Sequence, residues 1–294
     1  MAVLGAAIAW ICAALLGGCV GATSRTSLPT TAAGGDPEPI PVAVSRPDGP
    51  GPFPAVVILH DCSGVGLGSS GAPGRWAREL VSRGYVAIAP DSFTTRGYPG
   101  GVCTDASPGR ANVGPARRVR DAYDALAYAR TLPYVDGRRV GLMGGSHGGT
   151  TTLASMSAPE RDEELLAQKR GAGFAAAVAL YPGCGTRMGT WRGRSGVYKP
   201  LAPLLILIGG KDDWTPAEPC RLLTEASRAA GYPVTIKIYP GVYHSFDSNA
   251  PARYVAARVN PNSPTGRGAT TGGDPAAWAD AVQEVAAFFG KYLK

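Results

Sequence analysis

The sequence predicts one α/β domain in which a mostly parallel sheet is flanked by helices on both faces. Three observations carry this. Four short runs, Ala55–Leu59, Val86–Ala89, Ala176–Tyr181 and Leu204–Ile208, are apolar throughout, as strands buried on both faces of a parallel sheet are. Stretches of helical period lie between them, and strands alternating with helices put helices over both sheet faces. The composition suits a packed domain rather than a disordered chain, with 45% of the 294 residues hydrophobic and 17% charged.

Taken in order, residues 1–22 read as a signal peptide or lipoprotein leader. No Lys, Arg, Asp or Glu occurs before Arg25, and Ala2–Val20 forms an apolar run of small residues. Leu16-Gly17-Gly18-Cys19 resembles a lipobox, which makes Cys19 the lipidation candidate; cleavage after Val20-Gly21-Ala22 is the non-lipid alternative. A retained membrane helix is the third reading, because the run approaches the ~20-residue spanning length. The expectation is an exported protein: periplasmic, membrane-anchored as a lipoprotein, or secreted. It would meet a membrane only through this leader or its lipid. Residues 23–39, rich in Thr, Ser, Gly, Ala and Pro, read as a flexible linker, and the domain is expected over residues 40–294.

Within the domain, Pro115–Leu132 reads as a helix with Val119, Ala122, Tyr123, Leu126 and Ala127 on its buried face and Arg118, Asp121 and Asp124 off it. Arg139–Met143 is a fifth strand. Val234–Ile238 alternates, as a strand with one wetter face does. The last helix starts at Pro275 with Asp274 as N-cap, and its core stripe is Trp278, Val282, Val285 and Phe289. Asn249–Gly273, rich in Gly, Pro, Thr and Asn, reads either as a flap beside His244 or as a disordered excursion.

Export changes the meaning of the cysteines. Of six, Cys12 and Cys19 belong to the leader, and Cys62, Cys103, Cys184 and Cys220 allow three pairings. Cys62–Cys103 and Cys184–Cys220 are favoured, because each pair joins loops at the same end of the sheet; buried free thiols are the alternative. No CxxC spacing marks a zinc or redox site. The net charge of +7 comes from 29 scattered Lys and Arg with no basic block, which describes a solvated surface and not a nucleic-acid face.

Ligands of parallel sheets bind beyond the carboxyl ends of the strands, so the loops there hold the chemistry. After Arg139–Met143 comes Gly144-Gly145-Ser146-His147-Gly148-Gly149 and a helix-compatible stretch, which is G-x-S-x-G in the strand–turn–helix setting that lifts a serine hydroxyl above a sheet. A serine nucleophile needs a base, and the base a carboxylate to hold its tautomer. Of three histidines, His147 sits on the elbow with a side chain diverging from Ser146, and His60 reads as a structural anchor of its turn. His244 follows the last strand in a loop able to reach back over the sheet. Asp212 follows Leu204–Ile208, with its neighbour Asp213 as the alternative acid; Asp247 is close enough in sequence to approach the base, although capping its own turn is the simpler role.

The segments VVILHDCSG, APDSFTTRG, RVRDAYDAL, GLMGGSHGG, VALYPGC, LLILIGGKDDWTPAEPC and IYPGVYHSFD occur in this order from about Val42 to Leu293. In them the chain resembles the dienelactone hydrolase family of α/β-hydrolases. The resemblance implies Ser146 as nucleophile, His244 as base, Asp212 as orienting acid, and the backbone N–H groups of Cys62 and His147 as oxyanion donors. Asp61 matches an acidic position that influences the nucleophile. The family's name-giving enzymes carry cysteine where this chain has Ser146, so hydrolysis of small carboxylic esters or lactones through an acyl-enzyme is expected rather than dienelactone turnover specifically. The small-molecule ester or lactone is the partner, and neither metal nor organic cofactor is called for. A peptidase or acyltransferase on the same triad, and a catalytically silent exported binding protein, are the alternatives; the second is disfavoured because all three triad residues are present. Arg187, Trp191, Arg192, Arg194, Tyr198 and Lys199 read either as a substrate-facing lid or as a solvated basic loop, and Arg96 has the same two readings.

Overall fold

The apolar runs become the parallel body of an eight-stranded sheet in a computed structural model that describes residues 23–28, 39–158 and 173–294. The leader with Cys19 lies outside the described residues, as do residues 29–38 of the expected linker. The strands are β1 (Thr23–Leu28), β2 (Ile40–Ser45), β3 (Phe53–Leu59), β4 (Val86–Pro90), β5 (Val135–Gly145), β6 (Ala177–Leu180), β7 (Arg187–Met188), β8 (Trp191–Arg192), β9 (Leu204–Gly209), β10 (Val234–Tyr239), β11 (Arg253–Val259) and β12 (Arg267–Thr271). The large sheet runs β1-β2-β4-β3-β5-β6-β9-β10. From β4 to β10 every pair is parallel, while β1 and β2 add antiparallel strands at one edge. Val56, Val57, Leu142, Val178 and Ile206 are fully buried, which is why those strands show no alternation. β10 is the opposite edge; Thr235 is exposed and Ile236, Lys237 and Ile238 are half-buried, so both faces are partly wet where the alternation implied one.

The helices are α1 (Ala72–Ser82), α2 (Pro115–Thr131), α3 (His147–Met156), α4 (Ala217–Ala229) and α5 (Pro275–Leu293). A Cβ at Gly141 would meet Phe289 and Leu293 of α5, and one at Gly144 would meet Gly148 of α3. Positions three apart on a strand point to opposite faces, so α5 and α3 lie on opposite sides of the sheet. α1 shares the α5 side, with Trp76 edge-on to Trp278 at 4.6 Å, and α2 joins α3 through Tyr123 Oη donating to Ser155 O. Asp274 caps α5 as expected, accepting from Ala277 N at 2.9 Å.

Two expectations are corrected, and a third segment falls to one of its two readings. Thr23–Leu28 is not tether but strand, paired from Thr23↔Ser45 to Leu28↔Ile40. Only Leu28 of it is buried, so backbone pairing at a sheet edge, invisible to composition, makes this strand. Arg118, Asp121 and Asp124 are buried rather than off the core face of α2, while Ala127, expected on that face, is exposed; for Arg118 and Asp121 the reason lies in the site. The 249–273 segment is no disordered excursion: β11 and β12 form a hairpin, anchored where Trp214 Nε1 donates to Val259 O and Gly272 N to His244 O.

Both favoured disulfides are present, Cys62–Cys103 and Cys184–Cys220. The second closes a sequence separation of 36 residues. Restoring that loop's freedom to the unfolded chain costs stability, so the double variant Cys184→Ala/Cys220→Ala should lose about 2–4 kcal/mol of unfolding free energy, measured by urea titration.

Candidate active site

Ser146, Asp212 and His244 all lie beyond the carboxyl ends of parallel strands. Ser146 follows β5 and precedes α3, with φ 52° and ψ −114°, a conformation costly for a residue that bears a side chain. The turn is feasible because Gly144 leaves room for α3 to approach: a Cβ there would strike the backbone of Gly148 at 2.5 Å. Any residue larger than glycine at that position would push α3 off the end of β5.

His244, in the loop after β10, is fully buried and links two partners. Its Nδ1 lies 2.7 Å from Asp212 Oδ2 and its Nε2 2.8 Å from Ser146 Oγ. A carboxylate only accepts, so Nδ1 carries the proton and Nε2 is left to accept from the serine hydroxyl. Asp212 is held in turn: Oδ1 accepts from Trp214 N at 2.9 Å and Thr215 N at 2.8 Å, while Oδ2 faces His244. Thr215 Oγ1 sits within 3.0 Å of Asp212 Oδ2, His244 Nδ1 and Tyr181 O. Tyr181 and Trp214 enclose the imidazole, with ring centroids 4.7 and 4.8 Å away.

Of the two neighbouring acids, Asp212 is the one that meets His244. Asp213 is exposed and turns to the hairpin, accepting from Thr270 N and Thr270 Oγ1, both at 2.8 Å. Asp247 makes no hydrogen bond to His244; its carboxylate accepts from Tyr181 Oη and Trp76 Nε1.

The remaining two histidines are structural. His60 Nε2 accepts from Ser92 N at 3.1 Å, so its Nδ1–H donates to Asp61 O at 2.8 Å. His147 Nδ1 accepts from Arg118 Nη1 at 2.7 Å, which turns its ring away from Ser146. Burial, and then the Arg118 guanidinium, push both imidazoles well below the usual histidine range, so both are neutral. Arg118 also donates to His60 O at 2.9 Å and lies over the Phe93 ring, tying the β3 turn to the nucleophile elbow. Burial pulls its own pKa down to about 10. The helical period missed this residue because a charged side chain on α2 reads as solvated.

The expected oxyanion donors sit on this scaffold. His147 opens α3, where first-turn N–H groups have no carbonyl within the helix, and Cys62 is fixed by its disulfide and by Val102 N donating to its carbonyl. Asp61 does not hydrogen-bond Ser146: Oδ1 accepts from Ser63 N and Oγ, and Oδ2 from Ser70 Oγ.

These residues lie in a segment, 40–293, that matches the dienelactone hydrolase family throughout. The chain belongs to that family. A lactone is a cyclic carboxylic ester, so the family's reaction class makes this chain a carboxylic ester hydrolase. A Methylorubrum extorquens protein provisionally named a carboxymethylenebutenolidase is 26% identical over 230 residues, covering 74% of this chain and 71% of its own length. In fold the chain is similar to a Klebsiella pneumoniae structure provisionally named a dienelactone hydrolase, with TM-score 0.63, 22% identity, and 92% and 99% of the two chains covered. Apo esterase 2 of Thermogutta terrifontis is similar at TM-score 0.63 and 21% identity, covering 92% of this chain and 96% of that one.

In this dienelactone hydrolase family member Arg96, Trp191 and Tyr198 fit neither the lid nor the solvated reading, because their side chains are engaged inside the protein. Arg96 makes a bidentate pair with Asp121, 2.7 Å on each branch, with side chains 7% and 1% exposed. That pair is why α2 can bury an aspartate. Trp191 is fully buried and donates to Cys184 O, and Tyr198 is buried and donates to Leu153 O. Arg187, Arg192, Arg194 and Lys199 are exposed, and Arg192 Nη1 donates to Gly189 O in its own hairpin, which matches the solvated reading. Arg96→Ala should therefore leave KM for an ester within about twofold, yet cost about 3–5 kcal/mol in urea unfolding by stranding the Asp121 charge.

Proposed function

We propose that this chain is a serine hydrolase that cleaves small carboxylic esters or lactones through an acyl-enzyme. The observation that carries the reading is the unbroken relay from Ser146 Oγ through His244 to Asp212, at 2.8 and 2.7 Å. Ser146 Oγ attacks the ester carbonyl as His244 Nε2 takes its proton; Asp212 stabilises the imidazolium and holds its plane. The tetrahedral oxyanion is received by the backbone N–H groups of His147 and Cys62, with the N-terminus of α3 behind them. His244 then returns the proton to the leaving alkoxide, and water repeats the sequence on the acyl-serine to release the acid.

The complete relay speaks against a silent binding scaffold, which has no use for it. Two disulfides support work in an oxidising compartment, in keeping with the exported, leader-bearing chain read from the sequence. The test is turnover of short-chain aryl esters by the purified protein, together with labelling by a fluorescent fluorophosphonate. A folded protein that neither labels nor turns over ester refutes the reading.

A further inference from the structure

A buried cluster that the hydrolytic steps do not use lies beneath Ser146 and His244. Asp247, three residues after His244, is 1% exposed. Its Oδ1 accepts from Tyr181 Oη at 2.6 Å and its Oδ2 from Trp76 Nε1 at 2.8 Å. One carboxylate thereby joins α1, the end of β6 and the histidine loop. Tyr181 stands edge-on to the His244 imidazole at 4.7 Å, and its hydroxyl occupies the space a Cβ on Gly145 would need, one residue before Ser146. The backbone is strained on both sides of the contact, with φ 37° at Tyr181 and φ 58° at Ser245. Asp61, Trp76, Tyr181 and Asp247 also line a small cavity under the elbow.

Resting on the serine hydrolase reading, we propose that Asp247 is a positioning residue: by holding Tyr181 Oη it sets the tyrosine ring against His244 and keeps the imidazole in line between Asp212 and Ser146. The groups facing Asp247 are Asp61 from the β3 turn, Tyr181 from the end of β6, and Trp76 and Arg75 of α1, the Arg75 Nη1 donating to Asp247 O at 3.3 Å. Burial raises the Asp247 pKa to about 6, the Tyr181 and Trp76 hydrogen bonds oppose that rise, and Asp61 adds to it. The carboxylate is therefore charged at pH 7 and loses its charge as pH falls through 6.

The test compares wild type with Asp247→Asn, Tyr181→Phe and the double variant on a short-chain aryl ester. Each single variant should lose about tenfold in kcat with KM within about twofold, and the double variant should be no slower than the slower single one, because the two act through one contact. The acid limb of wild-type kcat/KM should be steeper than one proton, and that of Asp247→Asn should follow one proton. Wild-type kcat in Asp247→Asn, multiplying losses in the double variant, or identical acid limbs would overturn the proposal. If Asp247→Asn fails to fold, Tyr181→Phe with its kcat and KM carries the test. A wild type inactive on ester refutes the underlying reading instead, and so is told apart from failure of the Asp247 role.

Discussion

Ser146→Ala should lower kcat on an aryl ester by about 10⁴–10⁶-fold and abolish fluorophosphonate labelling, with the fold intact. The size follows from the relay. Removing Oγ leaves His244 Nε2 without the hydroxyl it faces at 2.8 Å, so neither an acyl-enzyme nor a general-base attack by serine is available. The residual rate is what the oxyanion donors and binding alone supply. Folding should be spared because the turn's strain at φ 52° is a backbone property shared by both residues, and β5 and α3 hold it. Circular dichroism beside the kinetics separates the two effects, and ester turnover that persists in the variant would place the nucleophile elsewhere.

Asp212→Asn should cost about 10⁴-fold in kcat, the scale of a lost orienting carboxylate. The amide has no free choice of orientation. Its oxygen must stay at the Oδ1 position, where Trp214 N and Thr215 N both donate, so its NH2 falls opposite His244 Nδ1. Two donors then face each other, and the imidazole relieves the conflict by moving its proton to Nε2, the atom that must accept from Ser146. Asp213→Asn should change kcat less than about threefold, because Asp213 serves Thr270 and not the base, and the amide oxygen can still accept from Thr270 N. Steady-state kinetics on the pair decides it: similar losses in both variants would remove Asp212 from its role.

The legible parts of this chain are those whose cause is local. Apolar runs mark β3, β4, β6 and β9 because a doubly covered strand has no wet face. G-x-S-x-G marks the elbow because the turn itself excludes side chains at Gly144 and Gly148. Edge strand β1 was hidden because its residues are exposed and only its backbone is paired. The Asp247–Tyr181–Trp76 cluster was hidden because its members come from three separated segments.

By itself, the sequence determined the six strands β3, β4, β5, β6, β9 and β10 and the serine turn, since each depends on neighbours within a few residues. Tertiary structure alone decided which of two adjacent aspartates meets His244, because Asp213 is claimed by Thr270, 57 residues away. It also decided that Arg118 and Asp121 belong to the buried face of α2. These charges are buried because partners from elsewhere in the chain receive them, Arg96 receiving Asp121 and His147 receiving Arg118.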